Sequence, residues 1–117
     1  MSITLIESTV RISDNDKEVI RDAVEKVAKN HNVDWSQIGL FGSRINSQAR
    51  GGDIDLYIRL KTSPSIDLFR LRQDLRLAVI DTLGDQKLDI VLDYPEAPAD
   101  PFLDMVRSNK VDIWKKE

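Results

Sequence analysis

The chain has no cysteine and a single histidine, His31, among its 117 residues. The first absence excludes disulfides, thiolate metal sites and a cysteine nucleophile. The second removes most histidine-based zinc centres and the Ser-His-Asp hydrolases. No apolar run approaches the roughly 18 residues that a membrane-spanning helix needs. Residues 1–7 have neither the basic flank nor the apolar stretch of a secretory leader. Positive charge is not in surplus either: seventeen basic residues face twenty acidic ones, for a formal net charge of −3. Proteins that grip nucleic acid by its phosphates usually carry a basic surplus or stripe, so direct nucleic-acid binding is not expected. Carboxylates, hydroxyls, backbone amides, lysine and arginine are left to carry any chemistry. These exclusions fit a cytoplasmic protein without membrane attachment.

The length suits a single domain over residues 1–117, burying roughly two-thirds of its unfolded surface. No repeat, low-complexity tract or Ser/Gly/Pro linker divides it. Val19, Ile20, Ala23, Val24, Val27 and Ala28 recur at helical spacing, which predicts an amphipathic helix over about 14–31 with Ser13 or Asp14 as its cap. Residues 37–41 read as a short strand stopped by Gly42-Ser43. Residues 54–60 read as a second strand, preceded by the breaker pair Gly51-Gly52. Leu68, Leu71, Leu75, Ala78 and Val79 mark a second helix ending near Gly84. A third strand over 88–92 closes at Asp93-Tyr94-Pro95. A proline-rich stretch then leads to a helix holding Phe102, Met105 and Val106, and residues 111–114 suit a terminal strand. This order indicates an α/β or α+β fold, a small mixed sheet flanked by helices.

Three features carry chemical potential. Asp53 and Asp55 flank Ile54, and side-chain alternation puts both carboxylates on one face of the strand. Their α-carbons would lie about 6.5–7 Å apart, close enough to repel unless a divalent cation sits between them. Mg²⁺ suits one or two carboxylates completed by waters and phosphates, although exposed acidic pairs also occur at strand edges in water. Asp89 is an acid in the otherwise apolar strand Leu88-Asp89-Ile90-Val91-Leu92, where burial would demand a partner such as Lys87 or an arginine. Were its strand adjacent to that of Asp55, it would supply a third carboxylate to a two-Mg²⁺ site for phosphoryl transfer. Gly42-Ser43-Arg44, just past a strand, offers backbone amides, a hydroxyl and a guanidinium to a phosphate, or simply makes a turn.

Together, Gly42-Ser43-Arg44, Asp53-Ile54-Asp55-Leu56 and the later Leu88-Asp89-Ile90-Val91 resemble the DNA polymerase β-like nucleotidyltransferase superfamily, specifically its minimal nucleotidyltransferases. The resemblance implies a small mixed sheet with Gly42 and Ser43 holding a triphosphate and Arg44 as an accessory phosphate contact. It implies Asp53, Asp55 and Asp89 as catalytic residues and ligands of two Mg²⁺ ions, with Asp89 helping to activate the attacking hydroxyl. It further implies ATP as substrate and a HEPN-domain toxin as protein partner, AMP being transferred to the toxin's tyrosine by the antitoxin. Two features depart from the family pattern. The loop before Asp53 is one residue shorter than usual, and Gly52 stands where a serine is common. A catalytically degenerate module that neutralises its partner by binding alone is the alternative.

Other residues have plainer expectations. His31 suits the C-terminal end of the first helix, where its charge would complement the dipole. Arg70, Arg72 and Arg76 read as a solvated basic face within reach of a nucleotide or partner. Trp35 and Trp114 read as packing residues, and Tyr57 has the parity to border the site. A phosphorylatable receiver domain is disfavoured: it needs an acidic pair after the first strand and later Thr/Ser and Lys positions that are not visible.

Overall fold

The computed structural model describes residues 3–5, 12–42, 54–64, 67–84 and 87–116. Its elements are β1 (Ile3–Leu5), α1 (Asp14–Asn30), β2 (Trp35–Phe41), β3 (Ile54–Leu60), α2 (Leu68–Leu83), β4 (Leu88–Asp93), α3 (Pro101–Asn109) and β5 (Val111–Lys116). The seven expected elements are all present. β1 is an addition, and a three-residue strand offers too little alternation to be read from sequence.

Each helix starts on a side-chain cap. Ser13 accepts from the Asp16 amide, Asp67 from the Phe69 amide and Asp100 from the Phe102 amide, satisfying donors that a first helical turn leaves orphaned. Pro101 occupies the first position of α3, where its missing N–H costs nothing. α1 ends at His31, and Asn32 then reverses the chain at φ 55°. The His31 ring lies 2.7 Å from the Asp74 carboxylate of α2, joining the two helices.

The sheet runs β1-β5-β2-β3-β4. Every neighbouring pair is antiparallel except β3 and β4, which are parallel. A parallel pair needs a crossover, and α2 supplies it. Alternation along β3 sends Ile54, Leu56, Ile58 and Leu60 into the main core, where α1 contributes Ile20, Val24 and Val27, and α2 contributes Leu71, Leu75 and Val79. Asp55, Tyr57 and Arg59 take the opposite face, where α3 lays Leu103 and Val106 over Phe41 and Tyr57. Both tryptophans are buried as expected. Trp35 donates from Nε1 to Glu25 and Trp114 to the Lys17 carbonyl, so each indole satisfies its one donor.

One buried charge pins α3 to the sheet. Asp93, at the end of β4, is fully buried. It accepts from Arg107 at 2.6 and 2.8 Å, from Arg59 at 2.8 Å, from the Tyr57 hydroxyl at 2.5 Å and from the Tyr94 amide at 2.8 Å. Burial alone would raise the carboxyl's proton affinity, but the Arg107 guanidinium and the other donors outweigh it and hold the pKa well below the usual value. Burial and the bond to Asp93 push the Tyr57 phenol up to about 12.

Asp93→Ala should cost about 3 kcal/mol in urea unfolding, because it strands two guanidinium groups and a phenol. The stabilisation from a depressed carboxyl is complete above its ordinary value of 3.8 and is lost as pH falls below it. Tyr57 has the opposite sign: its contribution is complete below 10 and is lost as pH rises from there through about 12. Acid and base unfolding curves of Asp93→Asn and Tyr57→Phe, compared with the parent, measure the two effects.

Candidate active site

Strand register brings the acids together. Asp55 pairs laterally with Asp89 across the parallel β3–β4 ladder and with Phe41 across the antiparallel β2–β3 ladder. Adjacent strands lie about 4.8 Å apart, so the two carboxylates project side by side from the same sheet face, the one α3 also covers. The adjacency on which the three-carboxylate reading depends is therefore present for this pair. Asp89 is not the buried acid that its apolar neighbours suggest: it is exposed, while Asp55 is partly buried. Asp89 sits on the outermost strand, and its side chain opens into a cleft of about 660 Å³.

Gly42 follows β2 directly and takes φ +73°, in the left-handed region. A Cβ built there would collide with the Asp55 carboxylate. Glycine is needed both for the backbone turn and for the close approach of that turn to the acid. The geometry thus couples the first residue of the Gly-Ser-Arg turn to the first described residue of the acidic set. Ser43, Arg44 and Asp53 lie outside the described residues. Among the described residues, no three carboxylate or imidazole side chains gather into one metal-binding group.

The cleft has a polar floor and a basic wall. Arg72, Gln73 and Arg76 of α2, together with Lys87, line the same cleft as Asp55 and Asp89. Arg76 also donates from Nε to the Leu88 carbonyl at 3.4 Å. Phe102 of α3, half-exposed, closes the other side, with its ring edge-on to Phe41 at 6.4 Å. Arg72 and Arg76 are thus cleft residues and not only a solvated face; their i, i+4 spacing on the crossover helix between the two acid-bearing strands was the available signal. Tyr57 shares the parity of Asp55 but is 1% exposed, with its hydroxyl committed to Asp93, so it does not border the cleft. Asp93 was read only as a strand end. It is instead the buried acid of the strand, and its partner Arg107 lies fourteen residues on, in the last turn of α3.

No family model matches the sequence, and no curated protein matches it. Solved structures do match in fold. A chain from a Shewanella oneidensis complex of a tri-AMPylated HEPN toxin with an MNT antitoxin aligns over 86% of this chain and 73% of its own, at TM-score 0.51 and 17% identity. A chain from a toxin–antitoxin structure with AMP-PNP aligns over 82% and 73%, at TM-score 0.53 and 20% identity. A further Shewanella oneidensis structure covers 90% and 74%, at TM-score 0.55 and 14% identity. At these identities the likeness establishes architecture alone: the chain shares its α+β fold with chains of these solved structures, two of which are toxin–antitoxin structures.

Replacing Gly42 by alanine should cost about 1–3 kcal/mol, since the new side chain meets both an unfavourable φ and the Asp55 carboxylate. Urea unfolding of Gly42→Ala beside Gly84→Ala separates the two contributions. Gly84 has a similar φ of +92° with open space around it, so Gly42→Ala should be the more damaging substitution.

Proposed function

We propose that the protein is a Mg²⁺-dependent nucleotidyltransferase that moves AMP from ATP to a tyrosine hydroxyl of a HEPN-domain toxin, and so acts as the antitoxin of the pair. The observation that carries this reading is the lateral pairing of Asp55 with Asp89 beside the Gly42 turn. The names of the structural neighbours support it: one complex contains an AMPylated HEPN toxin, another contains AMP-PNP. The reading takes residues 1–117 as one domain working in the cytoplasm, with a protein partner and without nucleic acid. No helix of the described residues is long and apolar enough to cross a membrane.

The donor chemistry fits Mg²⁺. Asp55 and Asp89 offer hard carboxylate oxygens from adjacent strands, one of them exposed, which leaves room for the waters and phosphate oxygens this ion retains. In this reading Asp53 completes the ligand set for two ions. Bound there, Mg²⁺ supplies Lewis-acid stabilisation of charge on the phosphoryl oxygens. Gly42 and Ser43 present backbone amides and a hydroxyl to the triphosphate, and Arg44 adds a guanidinium contact. Asp89 takes the proton of the attacking hydroxyl. The hydroxyl oxygen bonds to the α-phosphorus as the bond from that phosphorus to the α–β bridging oxygen breaks. Pyrophosphate leaves, the protein oxygen keeps the AMP, and the proton passes from Asp89 to water.

With α-³²P-labelled ATP, MgCl₂ and a HEPN-domain toxin that binds it, the parent protein should label that partner. Asp55→Asn and Asp89→Asn should each slow labelling at least about 100-fold, and EDTA should stop it. Absence of label with the parent, while the two proteins still bind, would instead favour the binding-only alternative.

A further inference from the structure

The outer edge of β4 carries backbone groups that no strand of the described residues pairs. Hydrogen-bond direction identifies which of its residues face outward. The Lys87 carbonyl accepts from the Ile54 amide of β3, so odd-numbered residues of β4 pair inward. The Leu88 carbonyl instead meets the Arg76 side chain, so even-numbered residues present their backbone groups to the opposite side. β4 is the last strand in the sheet order, and among the described residues no strand pairs with this side. Arg76 covers one carbonyl. The N–H and C=O groups of Ile90 and Leu92 lie along the edge beyond it.

Exposed edges are usually blunted, because they template strand addition. Here the edge lies instead in a continuous groove. The cleft containing Asp55 and Asp89 runs on past Ile90 and Leu92 into a second hollow of about 270 Å³. Arg72 borders both hollows from α2 and Phe102 borders both from α3, where Asp100 adds one carboxylate to the second, so the groove has a basic wall on the α2 side and an aromatic wall on the α3 side.

We propose that this edge binds an extended segment of the protein partner as an added strand, and that the segment carries the acceptor hydroxyl between two acidic residues. A residue placed opposite Asp89 on an added strand has its Cβ about 5 Å from that of Asp89, on the same sheet face. A tyrosine there is delivered to the carboxylate pair. Its neighbours on either side point to the other face, where Arg72 and Arg76 supply positive charge, so glutamate or aspartate suits both positions. The backbone gives affinity, and the alternating pockets give the preference for acidic-Tyr-acidic. The identity of the central residue rests on the transferase reading; the strand docking does not.

The test uses the intact protein and the peptide acetyl-Val-Glu-Tyr-Glu-Val-amide, followed by residue-resolved amide exchange. Added peptide should protect the Ile90 and Leu92 amides while leaving those of Asp89 and Val91, already paired to β3, unchanged. Two N-methylated peptides, blocked in alternate phases, should behave differently, one losing at least about tenfold in affinity and the other binding normally. Arg72→Glu should weaken the parent peptide about tenfold and favour a Lys-Tyr-Lys version. Unprotected Ile90 and Leu92 amides, or equal binding of both methylated peptides, would overturn the docking. Protection that grows with protein concentration in the absence of peptide would overturn it in favour of a second copy of this chain. Protection without any AMP transfer to the peptide would remove the transferase reading and keep the docking. Transfer with the edge unprotected would do the reverse.

Discussion

The parallel pairing of β3 with β4 is the constraint on which the rest of this molecule depends. Two strands that run the same way cannot be joined by a tight turn, so the chain must cross over through α2. The crossover buries α2 against one face of the sheet and leaves the other face to Asp55 and Asp89. It also carries Arg72 and Arg76 back past the acids, setting a basic wall beside an acidic floor. A slip of one residue in this ladder would separate the two carboxylates onto opposite faces and turn the apolar run of β4 away from the core. Core packing and site geometry are therefore specified by the same register.

The acids of the outer strand have sharply different environments four residues apart. Asp89 is exposed at the cleft, and Asp93 is sealed beneath α3 by two arginines, a tyrosine and a backbone amide. Side chains at positions 89, 91 and 93 share a face, so the difference comes from what covers them and not from strand geometry. α3 reaches the lower part of β4 with Arg107 and leaves the upper part open, with Phe102 at the margin. The Asp93 network thus ties α3, which carries Phe102, to the sheet beside the cleft. Its charge is used for attachment, whereas that of Asp89 is left available.

Much of this was legible in the sequence because the periodic signals were long. The α1 stripe from Val19 to Ala28 and the apolar alternation of β3 each repeat several times, and their elements fall where expected. The fold class followed from element order. β1 was not legible, since Ile3, Thr4 and Leu5 acquire strand character only from pairing with β5. The site was legible as residue types and not as environment. Asp89 looked buried because its neighbours Leu88 and Ile90 are apolar, but those two point to the opposite face, and α3 covers the Asp89 face only further along, at Asp93. Asp93 looked like punctuation before Pro95, and its partner Arg107 is fourteen residues away, beyond the range of any local pattern. Gly42 was identified as a turn residue; that its missing Cβ makes room for the Asp55 carboxylate is a tertiary fact.

The central claim is that Asp55 and Asp89 form one cation site, and paramagnetic relaxation by Mn²⁺ tests it most directly. Substoichiometric Mn²⁺ should broaden the amide resonances of residues 55 and 89 first, excess Mg²⁺ should reverse the broadening, and Asp55→Asn or Asp89→Asn should each abolish it. Broadening centred elsewhere, or broadening at the pair that survives both substitutions, would contradict the account.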